Sequence, residues 1–529
     1  MTGLPINRHT AELGFLLASF MLLEPAIAAV GTSAHASRPA RTTAPPMPSR
    51  RRRGHAWAVA APGVLLSLAL GLWGVRREGT LWRDEAVTYD MARRGLPDLW
   101  HTLGNADAVH GLYYLLMRGL FTLCGDADPL LVLRLPSVAA TAVAAAGVAC
   151  LGRRLAGPRA GLLAGVAFAA LPLVQRYAQE GRSYALVLAV VVWATYALVR
   201  AVGTRGPRWW VRYGVLMLTA CVLHEFAVLA LAAHAVALPR AARRPWSVTA
   251  TAVALGLAPL AVLSHRQSAQ VDWIDGPGWS AVLSLLGPWA LGLLAAVVVT
   301  GRPTPARPAR DTVSLPVLGL ALLVLPPLAL GLTSLVKPLY VDRYVLYGQA
   351  GLALLLGAAS DHLTREARRR AVGAVAVAVG VAVTATVALM PLSLGIRAPE
   401  SRVDDTTAAA RALRDIGAPG DAVLYMPLRR RVWSLPYPWA ARGLHDIALA
   451  RSPADSHTLY GTEVAPGVLR ARLLAESRVV VVTDPAGRPV DAVPGETVKR
   501  QVLARHFEPC ATRRAHGVRI VLYARPGRC

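Results

Sequence analysis

Charge is what this chain has least of. Asp, Glu, Lys and Arg make up 17% of its 529 residues, against roughly 25% in an average globular protein. With 54% hydrophobic residues, that deficit excludes a disordered, a collagen-like and an ordinary cytosolic chain. Acids are the scarcer sign, 31 against 57 Lys+Arg, for a net charge of +26. In a soluble protein this excess would suggest nucleic acid; here it reads as membrane topology, with no nucleic-acid partner. Cysteine is rare too. Five cysteines do not make a disulfide scaffold; Cys510 and Cys529 both fall in the C-terminal region and could pair, a matter of geometry that the sequence leaves open. There is no Gly-x-x-x-x-Gly-Lys-Ser/Thr loop for a soluble nucleotide and no His-Glu-x-x-His metal signature.

What is present is a series of nearly charge-free runs. Crossing a bilayer takes about 20 apolar residues. Spans are predicted at 57–75, 134–152, 159–175, 183–199, 209–223, 226–239, 247–264, 279–299, 313–335, 344–360 and 371–391, eleven in all. The chain thus divides into a disordered basic tail (1–55), a multi-span domain (56–391) with a long external loop (76–133), and a less hydrophobic tail (392–529). Residues 12–30 also read as a signal-like segment or a twelfth helix. The weakest pair is 209–223 and 226–239, because no Gly or Pro marks the turn at His224-Glu225.

Arginine sets the orientation by the positive-inside rule. With the N-terminus cytoplasmic, one set of span ends holds 21 Arg against three acids (Asp311, Asp361, Glu366). The opposite side, counting Arg134 at the mouth of its span, holds 12 Lys+Arg against 13 acids. The asymmetry survives only if 209–239 is two helices. It places the C-terminal tail outside the plasma membrane. That tail alternates helix-like segments (Thr406 to Asp415, Val464 to Ser477, Val498 to His506) with strand-like ones (Ala422 to Met426, Val479 to Val482, Val518 to Tyr523), a small α/β domain.

Reactive residue types then gather on the external side. Trp82-Arg83-Asp84-Glu85 follows the first span; Asp107 and His110 lead into an interfacial helix with Tyr113-Tyr114; Tyr177 to Tyr184 contains Gln179-Glu180-Gly181-Arg182; Lys337 to Tyr344 contains Tyr340, Asp342 and Arg343. Such residues in short turns suit a charged headgroup. The aromatic residues Trp82, Tyr89, Tyr113, Tyr114, Tyr177 and Tyr340 are expected to form an interfacial belt, and His224 a satisfied helix-end histidine. Asp272 and Asp275 read as turn chemistry. Asp84, Glu85 and His110 are the groups a divalent cation would use.

In order, Trp82-Arg83-Asp84-Glu85, Tyr113-Tyr114-Leu115-Leu116, Leu133-Arg134-Leu135-Pro136-Ser137 and Tyr177-Ala178-Gln179-Glu180-Gly181-Arg182-Ser183-Tyr184 resemble the GT-C class of membrane glycosyltransferases. The likeness is to family 39-like enzymes, kin to protein O-mannosyltransferases and the lipid A aminoarabinose transferase, and covers roughly 57–390. The Arg-rich, Lys-poor usage resembles an actinobacterial protein. Two departures stand out: His110 is followed by Gly111-Leu112 rather than by two prolines, and Gly181 replaces a common alanine.

The resemblance implies an α-helical polytopic fold and inverting transfer of a hexose or pentose, mannose-like favoured. The donor is a polyprenyl-phosphate sugar and the acceptor a hydroxyl on an envelope lipid, glycan or protein. It implies Asp84 as general base, with Glu85 on sugar hydroxyls and Glu180 on those or on Arg182. Arg182, Lys337 and Arg343 would take the donor phosphate, and His110, Tyr113, Tyr177 and Tyr340 would touch substrate. No cofactor is required. A transporter or flippase of an anionic or lipid-linked substrate is the alternative; charges at one mouth rather than at mid-bilayer favour surface chemistry. An inactive scaffold is a third reading, opposed by the intact Asp84-Glu85.

Overall fold

The computed structural model describes residues 50–204, 206–271, 278–301, 312–369, 389–487 and 491–529. The predicted basic tail, the 12–30 segment, most of the eleventh span, and Asp272 and Asp275 lie outside these residues.

Helices occupy the first ten predicted positions. In chain order they are α1 (Arg50–Leu72), α2 (Arg83–Arg93), α3 (Leu96–Asn105), α4 (Gly111–Leu123), α5 (Pro129–Ala156), α6 (Pro158–Ala170), α7 (Pro172–Ala178), α8 (Tyr184–Thr204), α9 (Pro207–Leu223), α10 (Ala230–Ala237), α11 (Arg243–Arg266), α12 (Trp279–Thr300), α13 (Leu315–Thr333) and α14 (Gly348–Arg369). Among the described residues, six helical stretches are long and apolar enough to cross a membrane alone, and α6 with α7, bent by 64°, would make a seventh. The chain is therefore a multi-pass membrane protein. The remaining members are shorter or carry charge: α9 has 17 residues, and α14 ends in Asp361, Arg365 and Glu366.

The break on which the arginine asymmetry depends is real. After α9 the chain is extended at His224 (φ −166°, ψ 119°), and a 3-10 turn, Glu225–Leu229, precedes α10. The bundle core is built from α5 to α14 and uses mostly Ala, Val and Leu, small and branched side chains that allow close helix approach.

The C-terminal residues form the predicted α/β domain, with strands β1 (Ala422–Met426), β2 (His445–Asp446), β3 (Leu449–Arg451), β4 (Thr462–Glu463), β5 (Arg478–Thr483), β6 (Glu508–Ala515) and β7 (Val518–Ala524), and helices α15 (Thr406–Ile416), α16 (Pro466–Ala475) and α17 (Pro494–His506). The main sheet runs β2-β1-β5-β7-β6. β1 is parallel to β2 and β5, whereas β7 is antiparallel to β5 and β6. Cys510 and Cys529 form a disulfide.

Side chains alternate between the two faces of a strand, and this sheet uses both. Ala422, Leu424, Val479 and Val481 pack with Leu469, Leu473, Val502 and Leu503 of α16 and α17. Val423, Tyr425, Val480, Val482, Ile520 and Leu522 join one buried cluster with Leu81, Ala86, Met91, Tyr113, Tyr114 and Leu133. The second face therefore shares its core with the external loop, and that shared core brings the C-terminal domain against the segment carrying Asp84.

Candidate active site

The loop between α1 and α2 sets the site. Asp84 and Glu85 occupy the first turn of α2. Consecutive residues on a helix point about 100° apart, so the two carboxylates enter different surroundings.

Glu85 is completely buried and saturated. Its Oε1 accepts from Arg134 Nε at 2.8 Å and from the Gly181 amide at 3.0 Å; its Oε2 accepts from Arg134 Nη2 at 2.6 Å and Arg77 Nη2 at 3.0 Å. Burial would push this carboxyl up, but Arg134 and Arg77 hold it down at about 2. Arg134 also donates to Val75 O and Thr80 O, and Arg77 to Gln179 O. This corrects the expectation that Glu85 contacts sugar: four donors already fill the positions a substrate hydroxyl would need. A Cβ at Gly181 would lie 3.0 Å from Leu133 Cβ and 3.3 Å from Glu85 Cγ, so the glycine lets its amide reach the carboxylate.

Asp84 is different. Its side chain is 19% exposed, and its neighbours are looser: Arg343 Nη2 at 3.5 Å from Oδ2 and Arg83 Nε at 3.7 Å from Oδ1. Arg343 also donates from Nε to Tyr184 OH at 3.1 Å and lies against the rings of Trp82, Tyr184 and Tyr344. Arg182 is buried beside them, with Nη1 at 3.1 Å from Tyr114 OH and 3.4 Å from Thr88 Oγ1. Its Nε has no hydrogen-bond partner among the described residues.

Other expected residues fall less evenly. Glu180 does not orient Arg182; it is buried with Oε1 at 2.9 Å from Arg402 Nε, and burial raises its carboxyl against the pull of Arg402. Tyr177 donates to Asp342 Oδ1 at 2.7 Å, and Asp342 Oδ1 also accepts the Arg343 amide. The Lys337 side chain makes no hydrogen bond or ion pair with a described residue, and Tyr340 is only partly buried. Trp82, Tyr113, Tyr114 and Tyr177 are buried, so they pack inside the protein rather than in a lipid-facing belt.

The rings of His110 and His224 lie 5.5 Å apart and tilted by 56°, with Tyr184 near both and Tyr344 at 4.5 Å from His224. His110 sits 3.9 Å from Asp107. Burial, with Arg182 and Arg343 nearby, pushes its imidazole well below the ordinary value. The Nδ1 atoms of His110 and His224, Tyr113 OH, Ser183 Oγ and Arg182 Nε are buried without hydrogen-bond partners among the described residues. Buried polar atoms are nearly always paired; this concentration of exceptions is what a site for a polar ligand requires. His224 is therefore part of the cluster, contrary to its reading as a satisfied helix-end residue. Among the described residues no three His, Cys, Asp or Glu are arranged to hold a metal ion.

Sequence reasoning also passed over Arg77, Arg134, Arg402 and Asp404. A signal existed for Arg134: an arginine inside an apolar span needs a partner.

Residues 111–265 match the family model described as dolichyl-phosphate-mannose-protein mannosyltransferase. No curated protein matches by sequence. The fold is similar to ArnT from Cupriavidus metallidurans bound to undecaprenyl phosphate, at TM-score 0.54 and 15% identity, covering 88% of this chain and 98% of that one. The apo form of that ArnT gives TM-score 0.54 at 14% identity, covering 89% and 98%. AglB from Archaeoglobus fulgidus, in complex with an inhibitory peptide and a dolichol-phosphate, gives 0.44 at 13% identity, covering 82% and 70%. The matched segment contains Tyr113, Glu180, Arg182 and His224 but neither Asp84 nor Arg343; the chain as a whole has a fold similar to that of ArnT.

Proposed function

We propose that this protein transfers a sugar from a polyprenyl-phosphate donor to an acceptor hydroxyl at the outer face of the plasma membrane, with inversion. A mannose-like hexose is favoured, with other hexoses or a pentose next. The observation that carries the reading is the grouping of a partly open carboxylate, Asp84, with two arginines, Arg343 and Arg182, at one mouth of a GT-C membrane domain. Support for the donor class comes from the undecaprenyl phosphate of the similar ArnT structure.

The chemistry follows from those groups. An alcohol is a weak nucleophile, so Asp84 takes its proton as the acceptor oxygen bonds to the anomeric carbon. The bond from that carbon to the donor phosphate breaks, and the departing phosphate keeps the electron pair. Arg343 and Arg182 offset that growing negative charge without giving up a proton. Glu85 belongs to the scaffold: its ion pair with Arg134 holds the first turn of α2 against α5, and its hydrogen bond from the Gly181 amide holds it against the 176–182 segment. The scheme requires no cofactor. The Cys510–Cys529 disulfide suits an oxidising compartment, which supports an external C-terminal domain.

The test is a panel of polyprenyl-phosphate sugars incubated with membranes carrying the wild type or Asp84→Asn. One donor should be consumed by the wild type and none by the variant. Consumption of no donor by the wild type would overturn the glycosyltransferase reading, and equal consumption by Asp84→Asn would remove Asp84 as the base.

A further inference from the structure

The C-terminal domain carries no motif for the reaction, yet the segment that leads into it crosses the mouth of the site. Helix α2, which presents Asp84, starts at Arg83, and its N-cap residue Trp82 supplies no side-chain cap. The first amides of a helix need an acceptor from elsewhere. That acceptor is Asp404: its Oδ1 takes the Arg83 amide at 2.9 Å, and its Oδ2 lies 3.7 Å from Arg83 Nε. The cap therefore comes from a residue 321 positions along the chain.

Its neighbours extend the contact. Thr406 donates from its amide and its hydroxyl to Leu81 O, at 2.8 and 2.7 Å. The Leu81 amide donates to Thr407 Oγ1 at 3.1 Å. Residues 79–83 are thus tied to 404–407 by one backbone hydrogen bond and several from the side chains of Asp404, Thr406 and Thr407. At the other end of the strap, Arg402 pairs with Glu180 and donates from Nη2 to Arg176 O at 2.8 Å, reaching the loop that carries Arg182. The strap is held in turn by the β6–β7 hairpin. The Asp405 amide donates to His516 O at 3.0 Å, and His516 Nε2 lies 2.7 Å from Arg402 O. Gly517, at φ 76°, sits where a Cβ would fall 2.6 Å from Asp404 Cβ, so only glycine allows this approach.

We propose that Asp404 and Arg402 are positioning residues through which the C-terminal domain sets Asp84 and Arg182 in register with each other. Asp404 fixes the first turn of α2 and Arg402 fixes the 176–182 loop; the two are one residue apart from being adjacent, so the two catalytic segments share one support. Neither touches substrate. The catalytic part of this inference rests on the function proposed above; the structural part does not. Reacting groups displaced by about 1 Å can lose on the order of 10²-fold in rate.

The experiment compares wild type, Asp404→Ala, Asp404→Asn and Arg402→Ala in the full-length protein in detergent or nanodiscs. Asp404→Asn keeps an oxygen for the Arg83 amide, whereas Asp404→Ala does not. Amide hydrogen exchange of the peptide spanning 79–88 should rise at least tenfold in Asp404→Ala and stay near wild type in Asp404→Asn. In Arg402→Ala the rise should fall on the peptide spanning 176–183. For transfer, Asp404→Ala should lower kcat by about 10- to 100-fold while donor KM changes by less than about threefold, with Asp404→Asn recovering most of the loss. Unchanged exchange in Asp404→Ala would overturn the support role whatever the enzyme does. Altered exchange with wild-type kcat, or equal losses in both Asp404 variants that track a fall in Tm, would overturn the positioning role. A wild type that consumes no donor would instead sink the proposed function and leave the exchange result to decide the support.

Discussion

Arg343 and Asp84, 259 positions apart in sequence, approach to 3.5 Å between Nη2 and Oδ2. The contact joins the only partly open carboxylate of the Asp84-Glu85 pair to a guanidinium that also bonds Tyr184 and lies against three aromatic rings. A rigidly seated arginine can keep one face on the carboxylate and offer another to phosphate.

Replacing Arg343 by Ala should raise donor KM by about tenfold or more and lower kcat as well, since both donor grip and leaving-group stabilisation are lost. Arg343→Lys should recover little, because an ammonium cannot span Tyr184, Asp84 and a phosphate at once. Steady-state kinetics with the preferred donor checks this; wild-type donor KM in both variants would move the phosphate site away from Arg343.

Arg182→Ala should weaken binding of the bare polyprenyl phosphate as well as of the sugar donor, while acceptor KM stays within about twofold. Competition by the sugar-free lipid phosphate measures it. A selective loss of acceptor affinity would assign Arg182 to the other substrate.

Glu85→Gln should destabilise rather than simply inactivate. The variant leaves Arg134 and Arg77 buried with no opposing charge, a change that typically costs about 3–5 kcal/mol. Lower yield and a clear fall in Tm are expected, read by thermal unfolding in detergent. A wild-type Tm with lost activity would return Glu85 to a role in substrate contact.

Asp404 supplies a pH dependence. Burial pushes its carboxyl up from 3.8 to about 6, against the pull of Arg83; Asp84 and Arg430 are the other charges near it. The folded protein thus holds this proton more tightly than the unfolded chain. Its contribution is fully present below about pH 4 and is lost as pH rises through about 6. Tm should therefore fall between pH 4 and 6 by more in the wild type than in Asp404→Asn, where nothing titrates at that position. Identical pH profiles would show that Asp404 titrates normally.

Much of the fold was legible in the residues. Apolar run length and the alternation of the tail predicted ten helices of the membrane domain among the described residues and the strands Ala422–Met426 and Arg478–Thr483 closely, because burial imposes a period on each segment separately. The break at His224 was legible only indirectly, through arginine counts on either side. The site was legible as a set of segments but not as a set of roles. Asp84 and Glu85 look equivalent in sequence, and the structure separates them because one turn of helix points Glu85 at Arg134, Arg77 and the Gly181 amide while Asp84 faces Arg343.

Sequence alone determined that the chain is a multi-pass membrane protein and which short polar segments to look at, since hydrophobic run length and charge asymmetry are sums over neighbours in the chain. The tertiary structure decided which carboxylate is saturated, which arginine meets Asp84, and that Asp404 caps the helix bearing it. Those pairings join residues from eight to 321 positions apart, and their geometry exists only once the membrane helices, the external loop and the sheet of the C-terminal domain have packed into shared cores.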